Sequence, residues 1–596
     1  MSKGNVEHLS LSQTESINKT PSIMDEDLAK PHLGGDDLDI QGMGYTVELQ
    51  DRPFNILNIF AIGFTICNSA IAVIASLATG IGNGGPITYI WAQIFIYAMS
   101  FCVAVSLGEL ASAMPNAGGQ YYWASQLAPK KIHATVSYVV GMVSWVASVF
   151  ICASVTLVIP QMAAGMMVLT NPNLVVKPWM VWIGFQVTNL FVFGFNCFSR
   201  ILPVASQCVL TMSLCAIIII FVSVLASSPD YRGAEFVFAT FVNKSGWSSP
   251  AITVFTGAVG VNWGFSCLDA VTHLAEEIPN PRKNVPKALL GTVIVGMSTA
   301  FPITLAILFC IQDIDAIIST PTLVASLEFF RQAMGSNSGA IGLQCLVLVS
   351  TCGSLWGCHA WQSRLAWSFA RDHGLPFSKY IGHIAGPPFG VPLAAHAWSC
   401  FWVGVLGCLY LGSTVAFNSF VGGAIMMQYM TYSTCIILLL LKGRSTFRHG
   451  PFWFKRFGPI ANFVTIGWTI FTTIFYSFPP YLPVEPNTMN YVSVVIVGIF
   501  LIVAAWYMLA TRKIYTPPPR LDATDYMHEP LAQQLDGSWE RMQLRKSGLR
   551  AQRVDFLVQS VSLLVPELKL RNDAVHEIPD EFAGEVLRSS DGLGHG

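Results

Sequence analysis

Charge is what this sequence most lacks. Asp, Glu, Lys and Arg make up 11% of its 596 residues, against roughly 25% in an ordinary soluble domain. The deficit is uneven: the first 52 residues hold 14 charged side chains, the last 86 hold 24, and residues 53–510 hold only 29. Such a body has too few charges to stay in water, which argues against a soluble enzyme or a secreted scaffold. The net charge of −1 offers no basic surface for phosphates, so no nucleic-acid partner is expected. Paired cysteines are missing too. The 14 cysteines include no CxxC and fall in or at the ends of apolar runs, so neither a disulfide framework nor a zinc site is expected. There is no apolar leader at the polar, acidic N-terminus, no Walker loop and no acid/base cluster. Glu109, Asp269 and His359 fall on separate apolar runs without a recognisable spacing. No catalytic residue, metal ligand or cofactor is therefore assigned, and an enzyme is not expected.

What the middle of the chain has is apolar length. A helix crossing about 30 Å of hydrocarbon needs roughly 20 residues, and the charge-free intervals hold twelve. They lie at about 55–79, 86–108, 135–163, between Lys177 and Arg200, then at about 201–227, 250–273, 288–311, 340–363, 391–411, 414–441, 458–479 and 489–511. The expected class is an all-α polytopic membrane protein. Residues 1–52 read as a disordered cytosolic tail, 53–513 as the membrane domain and 514–596 as a second cytosolic tail. In that second tail, VDFLVQSVSLLVPELKL is too short and interrupted to span. It reads as loosely ordered, with an amphipathic surface segment as the alternative.

Basic residues set the orientation. With the N-terminus inside, the inner loops hold Lys130, Lys131, Arg200, Arg282, Lys283, Lys287, Arg364, Arg371, Lys379, Lys442, Arg444, Arg448, Lys455 and Arg456, and the outer ones only Lys177, Arg232, Lys244 and Arg331. Both termini are thus expected in the cytosol. Asn243-Lys244-Ser245 is a possible glycosylation site in an outer loop; Asn18-Lys19-Thr20 has the same pattern but falls inside.

A spanning body without an enzyme's constellation suggests transport, and transporters bind substrate where helices break. Asn68 and Ser69, in the middle of helix one, compete with the helix ladder through their own side chains; they serve equally well as glue between helices. Helix six carries Gly257, Gly260 and then Asn262-Trp263-Gly264-Phe265-Ser266-Cys267-Leu268-Asp269, a stronger signal for a break. The two segments are five helices apart, as a five-plus-five repeat requires. Asp269 is a carboxylate inside a span, where charge is costly. It has three possible roles: to hold a cationic substrate, to carry a coupling proton, or to tie down the broken helix. His273, Glu276 and Glu277 are expected near the cytosolic mouth, in ion pairs with Arg282 and Lys283.

Three longer motifs carry a resemblance. Residues 108–123 (GELASAMPNAGGQYYW), 273–281 (HLAEEIPNP) with 285–288 (VPKA), and 368–376 (SFARDHGLP) resemble the inner-loop motifs of amino acid–polyamine–organocation (APC) permeases. The likeness covers about residues 52–513 and neither tail. Within that superfamily, residues 265–269 (FSCLD), 361–365 (WQSRL), 449–453 (HGPFW) and 489–492 (MNYV) resemble the fungal amino acid/choline permeases, the choline branch most. The resemblance implies the leucine-transporter (LeuT) fold. Helices one to ten would form two inverted repeats, at about 53–227 and 250–441, with extra helices at about 458–511 and substrate held by helices one, three, six and eight. It implies Asn68, Ser69, Trp263, Phe265, Ser266 and Asp269 as substrate-site residues, and Glu109, Gly118, Gly119, Glu276, Glu277, Arg371 and Asp372 as members of the cytosolic motifs.

One departure concerns the substrate. Relatives commonly carry Trp after Asn-Ser or Cys-Ser at the first break, where this chain has Ala70. Choline has no N–H donor and needs aromatic faces around its quaternary nitrogen. Trp145, Trp263, Phe265 and Trp356 are the candidates to rebuild that cage. The expected function is uptake of choline or a related amine across the plasma membrane by alternating access, with a proton as the coupling ion. 4-Aminobutyrate or another amino acid is the alternative substrate, favoured by Ala70, and a non-transporting nutrient sensor is the remote one. The partners expected are a small amine or amino acid and the lipid bilayer; nothing fixes an oligomeric state.

Overall fold

The structure is a computed structural model, and it describes residues 55–486 and 488–520. The expectations for residues 1–52 and for 521–596 lie outside the described residues. Within them, twelve helices are long and apolar enough to cross a membrane: α1 Ile56–Ala75, α2 Thr88–Ala113, α3 His133–Thr170, α4 Pro178–Phe195, α5 Ile201–Ser227, α6 Pro250–Glu277, α7 Pro281–Cys310, α8 Asn337–Arg371, α9 Leu393–Gly412, α10 Gly422–Lys442, α11 Phe457–Phe475 and α12 Val492–Thr511.

Helices α3 and α8 run past the spans expected for them, and α8 also outruns its charge-free interval. At 1.5 Å per residue, their 38 and 35 residues reach well beyond about 30 Å of hydrocarbon. A charge ends an apolar interval but not a helix, provided it finds a partner. Arg364, 2% exposed, continues α8 because Glu277 meets it through Nε at 2.8 Å and Nη2 at 3.3 Å. The buried bundle is built on α1, α3, α6 and the inner part of α8, while α4, α9 and α12 present many exposed apolar side chains, as lipid-facing helices do.

The face rich in Lys and Arg is tied down by three carboxylates. Glu109 at the end of α2 accepts two bonds from Arg444, at 2.7 and 3.0 Å, and one from the Phe454 amide at 2.8 Å. Glu276 accepts two from Arg371, at 3.0 and 2.9 Å, and one from the Ala117 amide. Glu277 takes Arg364. These are the planar, two-point contacts a guanidinium makes best. The ion pairs of Glu276 and Glu277 therefore run to α8, not to their sequence neighbours Arg282 and Lys283, because helix packing outweighs proximity along the chain.

Gly118 and Gly119 let the loop before the short helix Gln120–Leu127 come close to the second half of α6. Gly119 has φ +51°, and a Cβ there would lie 2.8 Å from Cε1 of His273, whose Nδ1 is 2.8 Å from the Ala117 carbonyl. Gly119→Ala is expected to destabilise the protein by about 1–3 kcal/mol, seen as a lower melting temperature of the purified protein in detergent. An unchanged melting temperature would refute the close approach.

Asp372, which follows α8, accepts a bond at its carbonyl from the Thr516 amide at 3.1 Å. That bond belongs to a strap after α12, formed by residues 515–520. Tyr515 is 2.7 Å from Ser137 of α3 and packs on Tyr138 and Phe369. Pro518 and Pro519 accept bonds from Ser125 and Gln126, and Arg520 donates to the Ala128 carbonyl. Burial pushes the phenol pKa values of Tyr121 and Tyr515 well above 10, so both remain neutral. On the opposite face, Asn83 and Gly84 pair antiparallel with Asn243 and Val242. Asn243 is exposed there, its Nδ2 donating to the Trp247 carbonyl at 2.7 Å.

Candidate functional site

Both expected breaks are present. Helix α1 stops at Cys67, and Asn68 turns the chain in the left-handed region at φ 36°, ψ 54° before Ser69–Ala75 resumes. Among side-chain-bearing residues, Asn is one of the few that tolerate this conformation. Helix α6 stops at Trp263, runs irregularly through Gly264–Cys267 with Cys267 at φ 62°, and resumes as the 3₁₀ segment Leu268–Glu277. Each break satisfies part of the other. Ser69 Oγ donates to the Gly264 carbonyl at 2.6 Å, and Cys67 Sγ to the Ser266 carbonyl at 3.0 Å. Asn68 Nδ2 reaches Ser213 of α5 and Ser354 of α8. Polar backbone away from water is tolerated only where such partners or a cavity meet it.

A cavity does lie at the junction. It is lined by Ile66–Asn68, Ile71, Ala72 and Ala75 of α1, Ile151 and Val155 of α3, Trp263, Ser266 and Cys267 of α6, and Thr351, Ser354 and Cys358 of α8. Its volume is about 30 Å³, room for about two waters, so the site is contracted. A solute with several heavy atoms needs the half-helices to move apart. A larger crevice of about 200 Å³ between α3, α10 and α12 is lined by Val136, Val139, Val140, Val143, Met430 and Phe500 with three threonines. It lacks the converging polar groups of a binding site.

The chemistry of the small cavity suits a cation without a carboxylate partner. No lining residue is charged. The first halves of α1 and α6 both end here, at Cys67 and Trp263, and helix C-termini carry a partial negative charge. An indole face and these carbonyl dipoles are what a desolvated ammonium can use. The second halves begin here too, with N–H groups for a carboxylate.

Of the nine residues expected at the substrate site, Asn68, Trp263 and Ser266 line the cavity, and the other six do not. Ser69 is spent on the Gly264 carbonyl. Ala70 is fully buried. Phe265 points to α7, where a Cβ at Gly296 would lie 3.7 Å from its ring. Trp145 donates to Ser399 of α9 at 3.1 Å and stacks with Trp398. Trp356 is not among the lining residues, and its carbonyl accepts from Asn196, the residue that follows α4.

Asp269 sits apart, in a buried polar group. Oδ1 accepts from the Tyr432 hydroxyl at 2.5 Å, Oδ2 accepts from Gln120 Nε2 at 2.9 Å, and Oδ2 lies 3.3 Å from His273 Nε2. Its neighbours come from the short helix Gln120–Leu127, α10 and α6 itself. Sequence reasoning missed Gln120 and Tyr432 as its partners, and Thr351, Ser354 and Cys358 as cavity walls. Nothing local marks a Gln or Tyr as facing a carboxylate more than 140 residues away.

The sequence profile of the family described as "Amino acid permease" matches residues 54–502. The chain belongs to that family. Among curated proteins, this permease is 42% identical over 448 residues to a choline transporter of Saccharomyces cerevisiae, covering 75% of this chain and 79% of that one. It is 37% identical over 486 residues to a swainsonine transporter of Arthroderma benhamiae, covering 81% and 96%. To a GABA-specific permease of Saccharomyces cerevisiae it is 26% identical over 506 residues, covering 81% and 86%. The permease is thus a multi-pass membrane transporter of small molecules and not an enzyme.

Proposed function

We propose that this permease imports choline or a closely related amine across the plasma membrane by alternating access, coupled to protons, with both termini in the cytosol. The observation that carries the substrate reading is the uncharged cavity at two facing helix breaks, with Trp263 as its one aromatic wall. It agrees with the 42% identity to a choline transporter. A quaternary ammonium needs no hydrogen-bond acceptor, and this cavity gives it indole, aliphatic side chains and carbonyl dipoles. The two broken helices and the packing of α2 on α7 and of α3 on α8 fit an inverted five-plus-five repeat in which the two halves rock against one another.

The coupling role falls to Asp269. Asp269 does not line the cavity, so of its three roles the direct hold on substrate is set aside; we assign it the coupling proton, with tying down the broken helix as the alternative that Asp269→Asn separates. Tyr432, Gln120 and His273 hold it between the cavity floor at Cys267 and the basic face. The three ion pairs at Glu109, Glu276 and Glu277 close that face and must open for release inward.

Uptake into cells lacking endogenous choline transport tests the substrate, with choline, 4-aminobutyrate, amino acids and polyamines compared in one panel at two external pH values. Choline is expected to be accumulated fastest and faster at low external pH. Accumulation of 4-aminobutyrate but not choline would overturn the assignment. A cation–π contact in a desolvated site contributes about 2 kcal/mol, so Trp263→Ala is expected to raise the choline KM about 30-fold. An unchanged KM would remove Trp263 from the site.

A further inference from the structure

Three soft or borderline donors meet in the interior, none of them lining the cavity or bonded to Asp269. His359 lies on α8, and His396 and Cys400 lie four residues apart on one face of α9. All three are buried, at 0%, 1% and 6% exposure, and one ligand atom from each lies within 4.8 Å of the others. Cys400 Sγ is 3.3 Å from His359 Nδ1 and 3.7 Å from His396 Nδ1. At the bond lengths zinc shows, about 2.3 Å to sulfur and 2.0–2.1 Å to nitrogen, two such ligands lie about 3.6 Å apart in a tetrahedral and about 3.8 Å in a trigonal arrangement. The His396 distance falls within that range, and the His359 distance is a few tenths of an ångström short of it.

The surroundings support ligation as well. His396 Nε2 is 3.2 Å from the Phe193 carbonyl. A proton on Nε2, donated to that carbonyl, leaves the Nδ1 lone pair facing the sulfur, the outer contact that metal-bound histidines characteristically make. The ring of Phe193 stacks on His396 at 4.7 Å and shields it.

We propose that His359, His396 and Cys400 form a binding site for one soft monovalent transition-metal ion of the Cu⁺ class. Charge decides the valence. A thiolate and two neutral imidazoles leave a monovalent ion with no net charge, whereas a divalent ion leaves +1 in an apolar interior, where uncompensated charge is costly. Thiolate with imidazole is also a donor set that soft ions take readily. Bound there, the ion fastens α9 to α8 one residue from Cys358, a wall of the cavity. Spacing patterns along the chain do not show the site, because two ligands sit on α9 and the third on α8.

The test uses the full-length protein, purified in detergent and titrated anaerobically with Cu⁺ against the colorimetric chelator bicinchoninate. Wild type is expected to hold one Cu⁺ per chain. Cys400→Ser and His396→Gln are each expected to weaken binding at least 100-fold, above the 10–100-fold typical of lost outer contacts. Unchanged affinity in Cys400→Ser would place the ion on some of the 13 other cysteines and overturn the site. X-ray absorption on the wild type keeps the question open to test if the variants fail to fold. One sulfur and two nitrogens are expected around copper, and a sulfur-only shell refutes the proposal. Tighter retention of Zn²⁺ than of Cu⁺ would overturn the monovalent assignment.

Discussion

Arg364→Ala is expected to remove the folded permease from the membrane. Arg364 and Glu277 are 2% and 4% exposed, joined by two bonds from α8 to the end of α6. Arg364 Nη1 also reaches the Ala360 carbonyl and Ser363 Oγ. Removing the guanidinium leaves a carboxylate with neither water nor a counter-charge. Breaking one side of a buried pair costs about 3–5 kcal/mol, a large share of the roughly 5–15 kcal/mol that holds a protein folded. Membrane fractionation and a thermal melt in detergent read the effect. The double change Arg364→Met with Glu277→Leu is expected to restore abundance, because paired apolar replacements often match a buried ion pair. Normal abundance and melting of Arg364→Ala alone would show that the pair is not structural.

Asp269→Asn is expected to leave the protein in the membrane and to uncouple it. The amide keeps the shape of the carboxylate but not its charge, and it cannot take up and release the proton. Concentrative uptake is therefore expected to be abolished, with only downhill flux remaining. The distinguishing result is the pH response. Residual choline flux in the variant is expected to follow the choline gradient alone, with no gain from an acidic exterior. A purely structural Asp269 would give the opposite pattern, with reduced abundance but normal proton dependence in the molecules that remain. Gln120→Leu and Tyr432→Phe provide a graded series, since each removes one donor and leaves the carboxylate in place.

The membrane body was legible because each span is a local property. Some twenty residues without charge must lie in lipid, and twelve such intervals became α1 to α12. The breaks were legible for a similar reason: Asn68, Gly264 and Cys267 act on their own backbone within one turn. What the chain did not reveal is how distant residues meet. Gln120 and Asp269 are 149 positions apart, Glu277 and Arg364 are 87, and Glu109 and Arg444 are 335. Arg364 and Arg444 entered the sequence argument as markers of orientation, and packing makes both into partners of buried carboxylates. Of the aromatic residues expected around Ala70, only Trp263 lines the cavity. Trp145 lies on α3 as expected, but its indole bonds to Ser399 and stacks on Trp398 of α9.

The strap at 515–520 gives the chain beyond it a mechanical address. A force applied at Arg520 would not be borne by α12 alone. Tyr515 passes it to α3, Thr516 to the end of α8, and residues 518–520 to the segment Ser125–Ala128. Residues 515–520 thus tie the end of α12 to three other elements at once. A truncation ending at Lys513 therefore removes these contacts as well, whereas one ending at Arg520 keeps them. Comparing the two separates what the distal residues do from what their anchorage does.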